Sequence, residues 1–162
     1  MTIRATNHKC YFVLSFFVLT VGSVQLAYSQ ANDDAIIDSY ISRQAEKQDC
    51  VEYQEARKIL RGDINGDGKA DVVVIYTLEG CGGGINWARI LAVFLRKGQN
   101  VQFGAETAAG AKGVRAVDLE SISGGKINLE TMGYRANDPA CCPSRKGKTK
   151  YAFSKGKLRE IK

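Results

Sequence analysis

Apolar residues recur at helical spacing in one stretch near the N-terminus of the chain. Between residues 32 and 47 they fall three and four positions apart, which places them on one side of a helix. The positions are Ile36, Ile37, Tyr40, Ile41 and Ala45. Asn32 or Asp33 can cap the start of this helix, where a negative charge also suits the helix dipole. The pattern predicts an amphipathic helix that packs across a sheet.

After Cys50 the pattern changes to short apolar or alternating runs that are separated by turn signals. β-branched and aromatic residues are frequent in these runs, and glycine-containing turns interrupt them. The predicted strands cover residues 53–60, 72–78, 87–96, 101–107, 114–121, 126–134, 150–153 and 158–161. About eight strands with short connections favour a mainly β fold of the α+β type, an antiparallel β-meander with the helix packed on it.

Residues 90–95 form a continuous apolar run rather than an alternating one. A strand with such a run is covered on both faces. We therefore expect the N-terminal helix to cover one face of this strand.

The first 29 residues have the features of an export signal. Arg4 and Lys9 form a positive leader without acidic residues, and an apolar core of signal length follows at residues 11–21. Small residues at positions 27 and 29 predict cleavage before Gln30. An uncleaved anchor is the alternative, since the apolar stretch can be extended to Ala27, although a span takes about 20 apolar residues.

These features predict a signal peptide at residues 1–29 and a single domain at residues 30–162, located in the periplasm or secreted. Loss of the leader removes two basic residues, so the net charge falls from +6 to +4. The only membrane contact that we expect is through the leader, if it is retained, and we expect the domain to be a monomer.

The remaining domain contains four cysteines: Cys50, Cys81, Cys141 and Cys142. An even number in an exported protein predicts two disulfides. Neighbouring cysteines rarely bond each other, because the small ring strains the peptide between them. We therefore expect Cys50 and Cys81 each to pair with one of the two adjacent cysteines, in either combination.

Residues 63–71 carry oxygen-bearing side chains at alternate positions, which is the pattern of a loop that folds around a hard cation such as Ca²⁺. The candidate side-chain ligands are Asp63, Asn65, Asp67 and Asp71, and Lys69 would contribute its backbone carbonyl. Gly68 lies at the sharp turn. An EF-hand would place a glutamate at position twelve and continue as a helix. Here that position is Val74, within a β-branched run that favours a strand.

A cation loop that leads into a strand resembles the calcium loops of FG-GAP or VCBS-type repeats, which join two strands of a β-meander. The resemblance covers residues 57–76, and it implies that Asp63, Asn65, Asp67 and Asp71 donate side-chain oxygens to one structural Ca²⁺. The sequence contains one copy, so a full propeller is not supported. The alternative is an Asp/Asn/Gly-rich turn that binds nothing.

Residues 137–144 resemble the Asp-Pro-x-Cys-Cys-Pro-Ser element of small exported bacterial proteins, including actinobacterial lipoproteins of the LppP/LprE kind. The chain lacks the lipidation cysteine of those lipoproteins. We expect the two adjacent cysteines to be structural. A redox-active pair is the alternative, although redox motifs usually separate their cysteines by two residues at a helix start.

Basic residues dominate the C-terminal segment, where residues 145–162 contain eight lysines and arginines against one acidic residue, Glu160. Such a segment can bind an anionic partner, or it can be a solvated edge that resists aggregation. It supports the alternative function, an envelope binding or inhibitor module.

The only histidine, His8, lies in the leader, so the predicted domain lacks the commonest general base. Asp118, Glu120 and Glu130 are candidates for carboxylate-pair catalysis, but their spacing does not distinguish them. A metal-dependent hydrolase, with a pocket beside residues 63–71, is a further alternative. No motif supports nucleic-acid binding. The leading prediction is a non-enzymatic, calcium-binding structural or interaction protein of the cell envelope. The sequence does not identify its partner, for which an anionic molecule is one candidate.

Overall fold

The structure, a computed structural model, describes residues 19–161, with side chains described from residue 30 onwards. Over these residues one helix is followed by nine strands. Helix α1 spans Leu19–Lys47. The strands are β1 Val51–Glu52, β2 Lys58–Gly62, β3 Asp71–Glu79, β4 Trp87–Lys97, β5 Asn100–Ala111, β6 Arg115–Ser123, β7 Lys126–Gly133, β8 Arg145–Ser154 and β9 Lys157–Ile161.

All nine strands belong to one antiparallel sheet, so the predicted β-meander is confirmed. The sheet order is β1-β3-β4-β5-β6-β7-β8-β9, and β2 also pairs with β3. Of the strand predicted at residues 53–60 only residues 58–60 belong to a strand, β2, because a short 3-10 helix occupies Gln54–Ala56. This turn is stabilised by two interactions: the Arg57 guanidinium pairs with Glu52, and buried Arg89 donates to the Ala56 carbonyl at 2.7 Å.

Strand β8 is longer than predicted, because residues 145–149 are mostly polar and gave no apolar signal. They pair with residues 129–133 of β7, with Thr149 opposite Leu129. The lysines of β8 alternate with Gly147, Thr149 and Tyr151. The alternation of lysines with smaller residues is therefore a regular strand that has no apolar pattern in its first half.

The two faces of strands β3 and β4 are both buried. On one face, residues of β3–β9 form a core that includes Val73, Leu91, Leu129 and Tyr151. On the other face, Ile37, Tyr40 and Ile41 of α1 pack in a cluster with residues of β3 and β4, namely Val72, Val74, Tyr76, Leu78, Ala92 and Phe94. The prediction that α1 covers one face of the strand at residues 90–95, which is β4, is confirmed.

The sheet turns sharply between β5 and β6, where Ala111 and Arg115 form a single pair. Gly110 makes this corner possible, since a Cβ atom there would lie 2.7 Å from the backbone oxygen of Arg115. The bend lets residues of β3 and β4 share a core with those of β6–β9.

Residues 19–31 are already part of helix α1, so the prediction that Asn32 or Asp33 caps its start is wrong. Asp33 is instead buried inside the helix and forms an ion pair with Arg96, with 2.5 Å between Oδ2 and Nη2. The predicted cleavage before Gln30 falls within α1, and residues 1–18 of the predicted leader lie outside the described residues. Within residues 19–161, no helix is long and apolar enough to cross a membrane.

The expected disulfide pairing is wrong. Cys50 bonds Cys81, with their Cα atoms 4.1 Å apart, and Cys141 bonds Cys142. The pairing of β1 with β3, in which Val51 lies opposite Glu79, brings Cys50 close to Cys81. The two remaining cysteines lie together in the connection between β7 and β8 and bond each other.

Candidate metal loop between strands β2 and β3

The predicted cation loop connects β2 to β3 and is closed at its base by strand pairing. Gly62, the last residue of β2, pairs with Asp71, the first residue of β3. Ile64 is buried in the inner core and fixes the loop to the sheet. Gly66 and Gly68 have positive φ angles of 80° and 78°, which side chains with a Cβ rarely adopt, so both turns depend on glycine.

Asp63 organises the first half of the loop through its carboxylate. Its Oδ1 accepts hydrogen bonds from the N–H groups of Asn65 at 3.2 Å and Gly66 at 2.7 Å, and its Oδ2 accepts one from Gly68 at 2.8 Å. The bond from Gly68, with the weaker ones from its neighbours, lowers the pKa of Asp63. The carboxylate is therefore ionised at neutral pH.

Asn65 and Asp67 repeat the same local arrangement further along the loop. The side-chain oxygen of Asn65 accepts a bond of 2.9 Å from the N–H of Asp67, and Asp67 accepts one of 3.0 Å from Lys69. Side chains that bond the backbone two residues ahead stabilise tight turns. Both side chains are exposed to solvent.

Asp71 closes the loop from inside the protein. It is fully buried, and its Oδ2 accepts a bond of 3.2 Å from the N–H of Ile64, while its Oδ1 accepts one of 2.8 Å from Arg96. The side chain of Arg96 in turn donates to the Ala70 carbonyl and to both carboxylate oxygens of Asp33. This chain of contacts connects the loop to β4 and to helix α1.

The structure places all five predicted ligands in this one loop: Asp63, Asn65, Asp67, Lys69 and Asp71. The side-chain oxygens of Asp63, Asn65, Asp67 and Asp71 accept hydrogen bonds from backbone N–H groups. Within residues 19–161 no three His, Cys, Asp or Glu side chains are grouped so as to hold a metal ion. The donor chemistry nevertheless fits a hard cation, because every donor is oxygen. Oδ1 of Asp63 accepts two N–H bonds, but Oδ2 of Asp63, Oδ1 of Asp67 and both oxygens of Asp71 accept one each, which leaves each of them a second lone pair.

Sequence reasoning missed two residues that support the loop, Arg96 and Asp33. A signal for Asp33 was present, since it lies four residues before Ile37 and eight before Ile41, on the apolar stripe of α1. A carboxylate on a buried stripe needs a partner. The sequence contains no comparable signal for Arg96, whose role depends on the register of β3 and β4.

Comparison with known families gives one match to this region. The family model of the FG-GAP repeat matches residues 58–86. The match runs from β2 through the loop and β3 to the connection before β4, and it bears out the resemblance to an FG-GAP-like element. No curated protein and no solved structure matches the chain. The FG-GAP repeat is a non-catalytic structural fold, so its presence indicates a structural or interaction module.

The carboxylates considered for carboxylate-pair catalysis lie elsewhere, on the outward face of β6–β8. A cavity of about 450 Å³ there is lined in part by Asp118, Glu130 and Lys148, and a neighbouring one of about 510 Å³ includes Glu120. Asp118 pairs with Lys58 and Arg89, and Glu120 pairs with Lys148. Two of the three carboxylates are therefore held in ion pairs.

Proposed function

We propose that the chain is an exported structural or interaction module of the cell envelope, without catalytic activity of its own, that is stabilised by one Ca²⁺ ion. The observation that carries this proposal is the loop at residues 63–71, which has an all-oxygen donor set, is closed between two paired strands and lies within the FG-GAP match.

The residues that would hold the ion are the side chains of Asp63, Asn65, Asp67 and Asp71 and the backbone carbonyl of Lys69. The bound ion would neutralise three carboxylates that otherwise repel one another. The chain itself contributes a preformed backbone path, because the two glycine turns and the N–H bonds of Asp63 already set the course of the loop. Asp71 would hold the end of the loop in place through its bonds to Ile64 and Arg96.

An extracellular location fits the covalent structure. The Cys50–Cys81 disulfide joins the segment after α1 to the segment after β3, and such bonds persist in oxidising compartments. Extracellular calcium modules bind with dissociation constants of about 10⁻⁴–10⁻³ M, which matches the millimolar calcium outside cells. The proposed ion would therefore bind only after export.

The experiment is thermal unfolding of the purified chain with added Ca²⁺ and with chelator. At about 10 mM Ca²⁺ these affinities give about 1.4–2.7 kcal/mol of stabilisation, which would raise the melting temperature by several degrees. Asp67→Ala should abolish the calcium effect, whereas Glu46→Ala, at an exposed carboxylate on α1, should retain it. Melting curves that are identical with Ca²⁺ and chelator would contradict the calcium proposal.

The second candidate is a binding or inhibitor module that uses the β8–β9 hairpin against an anionic partner. The face of β8 presents Lys146, Lys148 and Lys150, all exposed. The same face also contains Glu120, which pairs with Lys148, so its charge is mixed. Retention on anionic vesicles that weakens with added salt and is absent on neutral vesicles would support this candidate, and retention that is independent of salt would contradict it.

A further inference from the structure

The connection between β7 and β8, residues 134–144, presents a disulfide to solvent at an exposed turn. Cys141 and Cys142 are bonded to each other and both are exposed, and Pro139 and Pro143 stand on either side of them. A thiolate must approach a sulfur atom directly in order to exchange with a disulfide, so access is the first requirement for reaction. The exposure of both cysteines meets this requirement.

The base of this connection is held by hydrogen bonds that do not involve sulfur. Asp138 accepts bonds from the N–H groups of Arg135 at 2.7 Å and Ser144 at 2.8 Å, and from the Ser144 hydroxyl at 2.8 Å. The hydroxyl of Tyr134 donates to the Ala140 carbonyl at 2.8 Å. These bonds can persist when the disulfide opens, so the two thiols would remain neighbours that are able to bond again.

The Cys141–Cys142 bond also contributes little to the stability of the fold. A disulfide stabilises a fold mainly by restricting the unfolded chain, and the restriction grows with the length of the closed loop. Cys50 and Cys81 are 31 residues apart, whereas Cys141 and Cys142 are adjacent. The first bond is therefore a structural staple, and Cys50 and Cys81 also pack against the core beneath α1. Stability does not explain the second bond.

Basic residues flank this connection in the sequence. The connection itself contains one basic side chain, Arg135, and one acidic side chain, Asp138, and β8 begins with two further basic residues, Arg145 and Lys146. A positive environment stabilises the thiolate form of cysteine, both as the attacking group and as the leaving group. The bond from the Arg135 N–H lowers the pKa of Asp138, so this carboxylate stays ionised and keeps its hydrogen bonds at neutral pH.

From these observations we propose that Cys141–Cys142 is a thiol–disulfide exchange site that accepts two electrons from a dithiol. One thiolate of the dithiol attacks a sulfur of the pair, which forms a mixed disulfide and releases the other cysteine as a thiolate. The second thiol of the dithiol then attacks the mixed disulfide and releases the first cysteine. The dithiol is oxidised to a disulfide, and its two protons and two electrons pass to Cys141 and Cys142. The site does not depend on the metal loop.

The test is graded reduction of the folded chain, followed by alkylation of free thiols and mass spectrometry of the peptides. One arm uses dithiothreitol and the other a reduced protein with a Cys-x-x-Cys dithiol, which separates small-molecule from protein donors. In at least one arm we expect Cys141 and Cys142 to be alkylated about tenfold faster than Cys50 and Cys81. The melting temperature should not change when only the adjacent pair is reduced, and removal of the reductant should restore the same bond.

A double substitution, Cys141→Ser with Cys142→Ser, provides the control. It should abolish the fast phase of alkylation and leave the slow phase at Cys50 and Cys81 unchanged. Equal rates at the two disulfides of the unmodified chain would overturn the proposal, whether or not the variant folds. A native peptide map that joins Cys141 or Cys142 to Cys50 or Cys81 would also overturn it.

Discussion

The carboxylate of Asp71 accepts a 2.8 Å hydrogen bond from the backbone N–H of Arg96, and this contact joins the end of the candidate metal loop to the neighbouring strand. The guanidinium of Arg96 then holds buried Asp33 of helix α1. Because Asp71 also accepts from Ile64, one buried carboxylate connects both ends of the loop to the core. The loop is therefore part of the packed structure rather than a surface appendage.

Asp71→Ala should destabilise the fold even without calcium. The substitution leaves the buried N–H group of Ile64 and the part-buried N–H group of Arg96 without their acceptor, and the loss at a buried group costs about 1–3 kcal/mol. We expect a total loss of about 2–4 kcal/mol in urea unfolding with chelator present. Asp67→Ala is the matched control, since Asp67 is exposed and accepts one bond, and it should cost less than about 1 kcal/mol under the same conditions. Equal losses for the two variants would contradict the supporting role of Asp71.

Arg96→Met should unfold the chain more readily, because it leaves the Asp33 carboxylate buried without its partner. Removal of one member of a buried ion pair costs about 3–5 kcal/mol. The double variant, Arg96→Met with Asp33→Asn, should lose less than the sum of the two single variants, since no buried charge then remains. Additive losses in this double-mutant cycle would show that the pair is not coupled.

Replacement of Cys50 and Cys81 by alanine should cost about 3–4 kcal/mol, from the chain entropy of a loop of 31 residues. Replacement of Cys141 and Cys142 by alanine should leave the free energy of unfolding nearly unchanged, because no long loop is closed. Chemical unfolding of both double variants under non-reducing conditions gives this comparison. A larger loss at the adjacent pair would reverse the assignment of the structural disulfide.

Glu160 should contribute to stability above acidic pH. Its hydrogen bond with Arg115, supported by Thr149, lowers its pKa from 4.5 to about 2. A carboxylate with a lowered pKa stabilises the folded state above the unfolded pKa, and this contribution is lost as the pH falls from about 4.5 towards 2. Melting temperatures of Glu160→Gln should therefore fall less steeply than those of the unmodified chain over this interval. Parallel profiles for the two proteins would show that the Arg115–Glu160 pair is not the source of this pH dependence.

Much of the fold could be predicted from the sequence because its signals were local. The β-branched run at residues 72–75 predicted β3, and the apolar run at residues 90–95 predicted a strand that is covered on both faces. The helical spacing of Ile37 and Ile41 predicted which side of α1 packs on the sheet. In each case the local pattern of apolar residues predicted which residues are buried.

The features that could not be predicted depend on the three-dimensional arrangement of distant segments. The pairing of Cys50 with Cys81 follows from the register of β1 against β3, which no local pattern shows. The contact of Asp71 with Arg96 depends likewise on the pairing of β3 with β4. The extension of α1 before Asn32 was also missed, since Asp33 suited a cap as well as it suits a buried ion pair.

Isothermal titration calorimetry of the purified chain with Ca²⁺ is the most direct test of the central claim. We predict one binding event per chain with a dissociation constant of about 10⁻⁴–10⁻³ M, which Asp67→Ala abolishes and Glu46→Ala preserves. No heat and no stoichiometric uptake at millimolar Ca²⁺ would contradict the claim and leave residues 63–71 as a turn that binds no ion.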